Sequence, residues 1–103
     1  MSNKYHAQKT QVDGVTFHSK KEANRYGQLK LLLQAGEISG LELQPQYPLE
    51  VNGQLITKYI GDFRYREKNG DLVLEDVKGT YTPIYRLKKK LVKALYGIEI
   101  KEV

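Results

Sequence analysis

Cysteine and tryptophan are absent from the 103 residues. Without cysteine, neither a disulfide framework nor a zinc–thiolate cluster can form. Histidine is almost absent too: His6 and His18 are the only two, too few for a histidine-based metal nuclease cluster. The chain has no G-x-S-x-G elbow for acyl transfer and no G-x-x-x-x-G-K-[ST] loop for nucleotide hydrolysis. No apolar run reaches the ~18 residues a membrane span needs. The polar start of the chain lacks the apolar stretch of a signal peptide, so a cytoplasmic location is expected. Repeats, low-complexity tracts and linkers are missing as well, and residues 1–103 read as a single domain.

What is present is an ordinary globular composition, 40% apolar and 28% charged, with an uneven distribution of charge. The net charge is +5. Residues 1–35 hold six basic residues against two acidic ones, residues 36–79 five against eight, and residues 80–103 six against two. An acidic middle between basic ends suits a carboxylate metal site set between phosphate-contacting surfaces, although a basic surface kept soluble by charge has the same composition.

The pattern predicts an α/β domain with a mixed sheet. Asp13-Gly14 marks a turn between short extended segments. Ser19 opens a first helix with Glu22 in the S-x-x-E capping-box spacing, and Gly36 ends it. Residues 41–51 read as extended, with Pro45 and Pro48 favouring an edge or a bulge, and Asn52-Gly53 as a hairpin turn. Residues 58–66 read as a strand, Lys68-Asn69-Gly70 as a turn, and residues 72–78 as a central strand. Pro83 fits the first turn of a second helix with an apolar stripe of Ile84, Leu87, Leu91 and Leu95, closed by Gly97. A short strand over 98–103 follows. The order is helix, three strands in meander, helix, strand.

Asp76-Val77-Lys78 places a carboxylate and an ammonium two residues apart, hence on one face of a strand. Metal-assisted phosphodiester hydrolysis needs hard oxygen ligands and a nearby cation. The pattern alone carries little weight, because Glu99-Ile100-Lys101 repeats it. The partner across the hairpin separates the two. A three-residue loop at Lys68-Asn69-Gly70 sets Glu67 opposite Asp71, Asp62 opposite Asp76 and Ile60 opposite Lys78. A two-residue Asn69-Gly70 turn instead puts Asp62 on the face of Glu75, which then becomes the alternate ligand. Aspartate is disfavoured inside strands, and Tyr59, Ile60, Phe63 and Tyr65 mark this one as buried, where a metal or cation relieves an unpaired carboxylate. Glu22 either caps its helix or, lying on the same helical face as Tyr26, Leu29 and Leu33, reaches the site as a further ligand. Arg86, Lys88, Lys89, Lys90 and Lys93 give the second helix a cationic run that either grips phosphates or forms a solvated face. Lys20, Lys21 and Arg25 form a second cluster. Thr80, Tyr81 and Thr82, just past the site strand, are candidates for phosphate contact or base stacking.

The run Phe17-His18-Ser19-Lys20-Lys21-Glu22-Ala23, then Leu41-Glu42-Leu43-Gln44-Pro45, Tyr59-Ile60-Gly61-Asp62-Phe63 and Glu75-Asp76-Val77-Lys78-Gly79 resembles a group of short phage proteins. That group is placed in the PD-(D/E)XK nuclease superfamily. The likeness covers nearly the whole chain. It implies a restriction-endonuclease-like α-β-β-β-α-β core, one or two Mg²⁺ or Mn²⁺ ions, and a DNA endonuclease acting in phage recombination, repair or DNA processing. It assigns Asp62 and Asp76 as metal ligands, Lys78 as the catalytic lysine, and Glu22 as the first-helix glutamate of the junction-resolvase and transposase-like branches. Gln44 is implied as an accessory residue. Gly61 stands where the superfamily usually has proline. So small a core offers little surface for gripping DNA, which points to a homodimer, as in junction resolvases. The competing expectation is a non-catalytic nucleic-acid-binding protein on the same fold.

Overall fold

A computed structural model describes residues 9–103; His6 and the polar start of the chain lie outside the described residues. The elements in order are β1 (Thr10–Val12), β2 (Val15–Phe17), α1 (Lys20–Gln34), β3 (Ile38–Leu43), β4 (Gln46–Val51), β5 (Gln54–Ile60), β6 (Phe63–Glu67), β7 (Leu72–Asp76), α2 (Pro83–Tyr96) and β8 (Lys101–Glu102). The domain is a mixed α/β structure. Its main sheet runs β3-β6-β7-β8, antiparallel through β7 and parallel between β7 and β8. Pairs β1-β2 and β4-β5 are separate two-stranded ribbons.

Local chemistry explains the boundaries. The Ser19 hydroxyl accepts the Glu22 amide at 3.0 Å and so caps α1, while Gly36, with φ +75°, lies just beyond its end. Thr82 caps α2 by accepting the Tyr85 amide at 3.1 Å, with Pro83 at the first helical position and Gly97 left-handed at the end. The β6–β7 loop takes the three-residue form: the Gly70 amide donates to the Glu67 carbonyl, Gly70 has φ +92°, and Phe63 pairs with Glu75. The register expected for the site hairpin is therefore the one formed.

Alternation along β7 builds two cores. Val73 and Val77 pack with Phe17, Tyr26, Leu29, Phe63 and Tyr65 against α1. Leu74 turns the other way, into the cluster of Tyr47, Leu49, Tyr59, Tyr85, Val92 and Ile100 beneath α2. The same alternation sends Glu75 towards α1, where it meets Arg25, and Asp76 towards Tyr59 of β5.

Three expectations need correction. Residues 41–51 and 58–66 are not continuous strands. Gln44, with φ +51°, and Pro45 break the first, while Gly61 and Asp62 break the second. The pieces belong to different sheets, so the β4–β5 hairpin is inserted into the expected meander between β3 and β6. Ile60 consequently pairs with Gln46 rather than facing Lys78. The Leu-rich stripe of α2 is not its buried face: Ile84, Leu87 and Leu95 are exposed, and Tyr85 and Val92 are buried. Periodicity finds the most apolar face of a helix, but here an aromatic ring and a β-branched residue fill the narrow space over Leu74 and Ile100.

Candidate metal centre

Asp62 lies beside Asp76 at the end of β7. The break between β5 and β6 creates the Asp62 position. Three backbone hydrogen bonds fix it: Gln44 N–H to the Asp62 carbonyl, Gly61 N–H to the Pro45 carbonyl, and Asp62 N–H to the Glu75 carbonyl, each 3.0 Å. One Asp62 carboxylate oxygen accepts the Val77 amide at 2.6 Å. The Asp76 carboxylate is near enough to act on the charge of Asp62. Burial, offset by the Val77 amide and reinforced by the charges of Asp76 and Glu22, pushes Asp62 up to about 7.

Asp76 is buried and has a partner on each oxygen. Lys78 Nζ stands 2.9 Å from Oδ1, and the Tyr59 hydroxyl donates to Oδ2. The Lys78 ammonium also sits over the Tyr85 ring, 3.1 Å from its centroid, while the Tyr85 hydroxyl donates to Glu102 at 2.7 Å. Tyr59 and Tyr85 are the site residues that sequence reasoning missed. The sequence pattern marks Tyr59 only as part of a buried strand and gives Tyr85 no role, yet a tyrosine near an acidic strand end brings a donor and a π-face to it.

Glu22 lies close enough for its charge to help raise Asp62, and the Asp76 charge acts upward on both Glu22 and Asp62. Its own carboxyl is raised first by burial, against the pull of His18 and the Ser19 hydroxyl. Among the described residues, however, no three acidic or histidine side chains are grouped tightly enough to hold a metal ion. Glu22 thus sits in the first turn of α1, its carboxylate accepting from the Ser19 hydroxyl at 3.5 Å, and acts on Asp62 through its charge. The donor chemistry still fits a hard divalent cation. Asp62, Asp76 and Glu22 supply hard oxygen donors near one another, Lys78 is paired with Asp76, and burial ahead of like charge raises Asp62.

Glu75 is not an alternate ligand. It is fully buried on the α1 side, bound by Arg25 Nε at 2.8 Å, by a second Arg25 nitrogen and by the Tyr65 hydroxyl. Burial opposes its ionisation, but these donors hold it below the usual carboxylate range. Arg25 is accordingly engaged with Glu75, with one further nitrogen donating to Gln28 at 2.9 Å. Lys21 donates to the Lys78 carbonyl at 2.8 Å, whereas Lys20 is exposed without an ion pair among the described residues. The Gln44 side chain is exposed; its backbone, not its amide, supports Asp62. The second E-x-K match is a surface feature, with Glu99 paired to Lys93 at 3.0 Å. Of the residues just past the site strand, Thr82 serves as the α2 cap, and Tyr81 stacks edge-on against Tyr85.

Gly61 is required for space. A Cβ there would lie 2.7 Å from Leu74 Cδ1, 3.4 Å from Tyr59 and 3.5 Å from Pro45. Leu74 is itself fully buried and has nowhere to swing. Gly61→Ala is expected to cost about 1–3 kcal/mol in thermal or denaturant unfolding. The expected displacement of Asp62 should appear as a shifted Val77 amide resonance.

The α2 cations divide between two concavities. Arg86, Lys89, Lys90 and Lys93 line a groove of about 430 Å³ facing the segment before β8, where Lys89 pairs with Glu102. Lys88 lies on the other side, in a cleft of about 460 Å³ that reaches Asp76. No helix among the described residues is long and apolar enough to cross a membrane. A family model described as Protein of unknown function (DUF1064) matches residues 2–102. No curated protein matches the chain.

Proposed function

The chain belongs to that DUF1064 family, and we propose that it is a metal-dependent DNA endonuclease of the PD-(D/E)XK type. The single observation that carries this reading is the approach of Asp62 to Asp76 at the end of β7, with Lys78 paired to Asp76 and Asp76 lining a cleft. The order of elements supports it: α1, antiparallel β3, β6 and β7, then α2 and parallel β8, with the β4–β5 hairpin inserted. That is the order expected of a restriction-endonuclease-like core.

In this reading Asp62 and Asp76 would hold Mg²⁺ or Mn²⁺, with Glu22 as a further carboxylate near them. The ion supplies Lewis acidity towards a phosphoryl oxygen. Lys78, steered by Asp76 and the Tyr85 ring, presents a fixed positive charge to the phosphate and orients the attacking water. Tyr59 holds the Asp76 carboxylate in one orientation. DNA is the substrate, the basic surfaces of both helices serve its backbone, and a homodimer supplies a longer footprint than one chain offers.

A panel of four-way junctions, flaps, single strands and duplexes with Mg²⁺ or Mn²⁺ tests the proposal. At least one member should be cut by the wild type. Asp62→Asn and Lys78→Ala should each lower the rate at least ~10²-fold while leaving binding in place. Binding without cleavage of any member under either metal would replace the nuclease with a binding module.

A further inference from the structure

We infer that the cleft between β5 and α2 is a binding site for one DNA strand, with Lys58 and Lys88 contacting phosphates on either side of Asp76. The inference rests on the nuclease reading and adds the path of the substrate to it. The cleft of about 460 Å³ is bounded by Lys58, Tyr59 and Ile60 of β5 and by Ile84 and Lys88 of α2, and Asp76 lies in its lining. A concavity of this size seats a short run of one sugar–phosphate backbone.

Charge points the same way. An acidic floor repels a phosphate unless the walls are cationic, and here one lysine stands on each wall. Lys58 is exposed, and among the described residues its one close partner is the neutral Gln46 side chain at 3.4 Å. Lys88 makes no ion pair among the described residues, whereas its neighbour Lys89 is paired with Glu102 at 3.0 Å. Ile60 and Ile84, 47% and 63% exposed, add apolar surface on opposite walls, suited to sugars and base faces. Lys58 comes from the inserted hairpin, so the insertion supplies half of the site.

The test is anisotropy of a fluorescent oligo(dT) across a salt series in EDTA, where no metal-dependent cleavage competes. Each phosphate contact on a single strand contributes ~0.7 to the slope of log K against log salt. Lys58→Ala/Lys88→Ala should therefore flatten the slope by ~1.4, while Lys68→Ala, at the distant β6–β7 turn, leaves it unchanged. Circular dichroism melts confirm that the variants remain folded. An unchanged slope in the double variant overturns the inference, as does wild-type protein that binds no oligonucleotide at low salt. Tighter binding of a duplex, equally sensitive to both lysines, also overturns it. Failure of the nuclease reading looks different: the slope change persists, and no substrate is cut with metal present.

Discussion

Asp62→Asn is expected to make the metal-free protein more stable at pH 8 while removing the proposed nuclease activity. In the folded chain burial and the neighbouring acids raise Asp62 from 3.8 to about 7. The protonated form is therefore the favoured one in the fold. Its contribution to stability is fully present below about pH 4 and is lost as pH rises through 7. Converted in full, such a shift would be ~4 kcal/mol. Solvent screening of a half-buried group reduces this to about 1–2 kcal/mol, or roughly 5–10 °C in Tm for a chain of this size. An asparagine oxygen can still accept the Val77 amide, so the substitution removes charge without leaving that donor unpaired. Thermal denaturation in EDTA between pH 4 and 8 should show the wild type losing stability as pH rises and the variant losing less. A metal site that forfeits stability to hold uncompensated charge predicts this opposition of stability and activity.

Arg25→Ala is expected to have the largest effect on folding. It strands Glu75, a carboxylate with no solvent exposure, with only the Tyr65 hydroxyl as a remaining side-chain donor. Breaking a buried pair from one side costs about 3–5 kcal/mol, a fall in Tm of more than about 12 °C. Arg25→Met combined with Glu75→Leu should recover most of that loss, because the desolvation penalty disappears with both charges. A phosphate-contacting Arg25 would behave otherwise: its loss would flatten the salt dependence of DNA binding and leave Tm in place.

Much of this site is legible in the sequence because it follows from turn chemistry and alternation. Gly70 needs a left-handed conformation, which selects the three-residue loop, and the loop fixes which face carries Asp76. Ser19 and Thr82 announce the helix starts through hydroxyls that accept backbone amides. The rest depends on distance in space. Nothing in the run from 58 to 66 shows that Gly61 sits against Leu74, and without that contact the strand reads as unbroken. The Glu75–Arg25 pair spans 50 positions, so a lysine- and arginine-rich helix start reads equally well as a DNA surface. On α2 the exposed leucines outweigh Tyr85 in any apolar pattern, which hides the ring that steers Lys78.

The central claim is that Asp62 and Asp76 together bind a divalent ion. Calorimetric titration of Mn²⁺ into the wild type and Asp62→Asn at pH 6 and pH 8 tests it most directly. The wild type should bind more tightly at pH 8, because the ion must displace the Asp62 proton, with proton release visible as buffer-dependent heat at pH 6. Asp62→Asn should bind at least ~10-fold more weakly and without that heat. Equal affinity in the two proteins, or no binding to the wild type at either pH, would contradict the account.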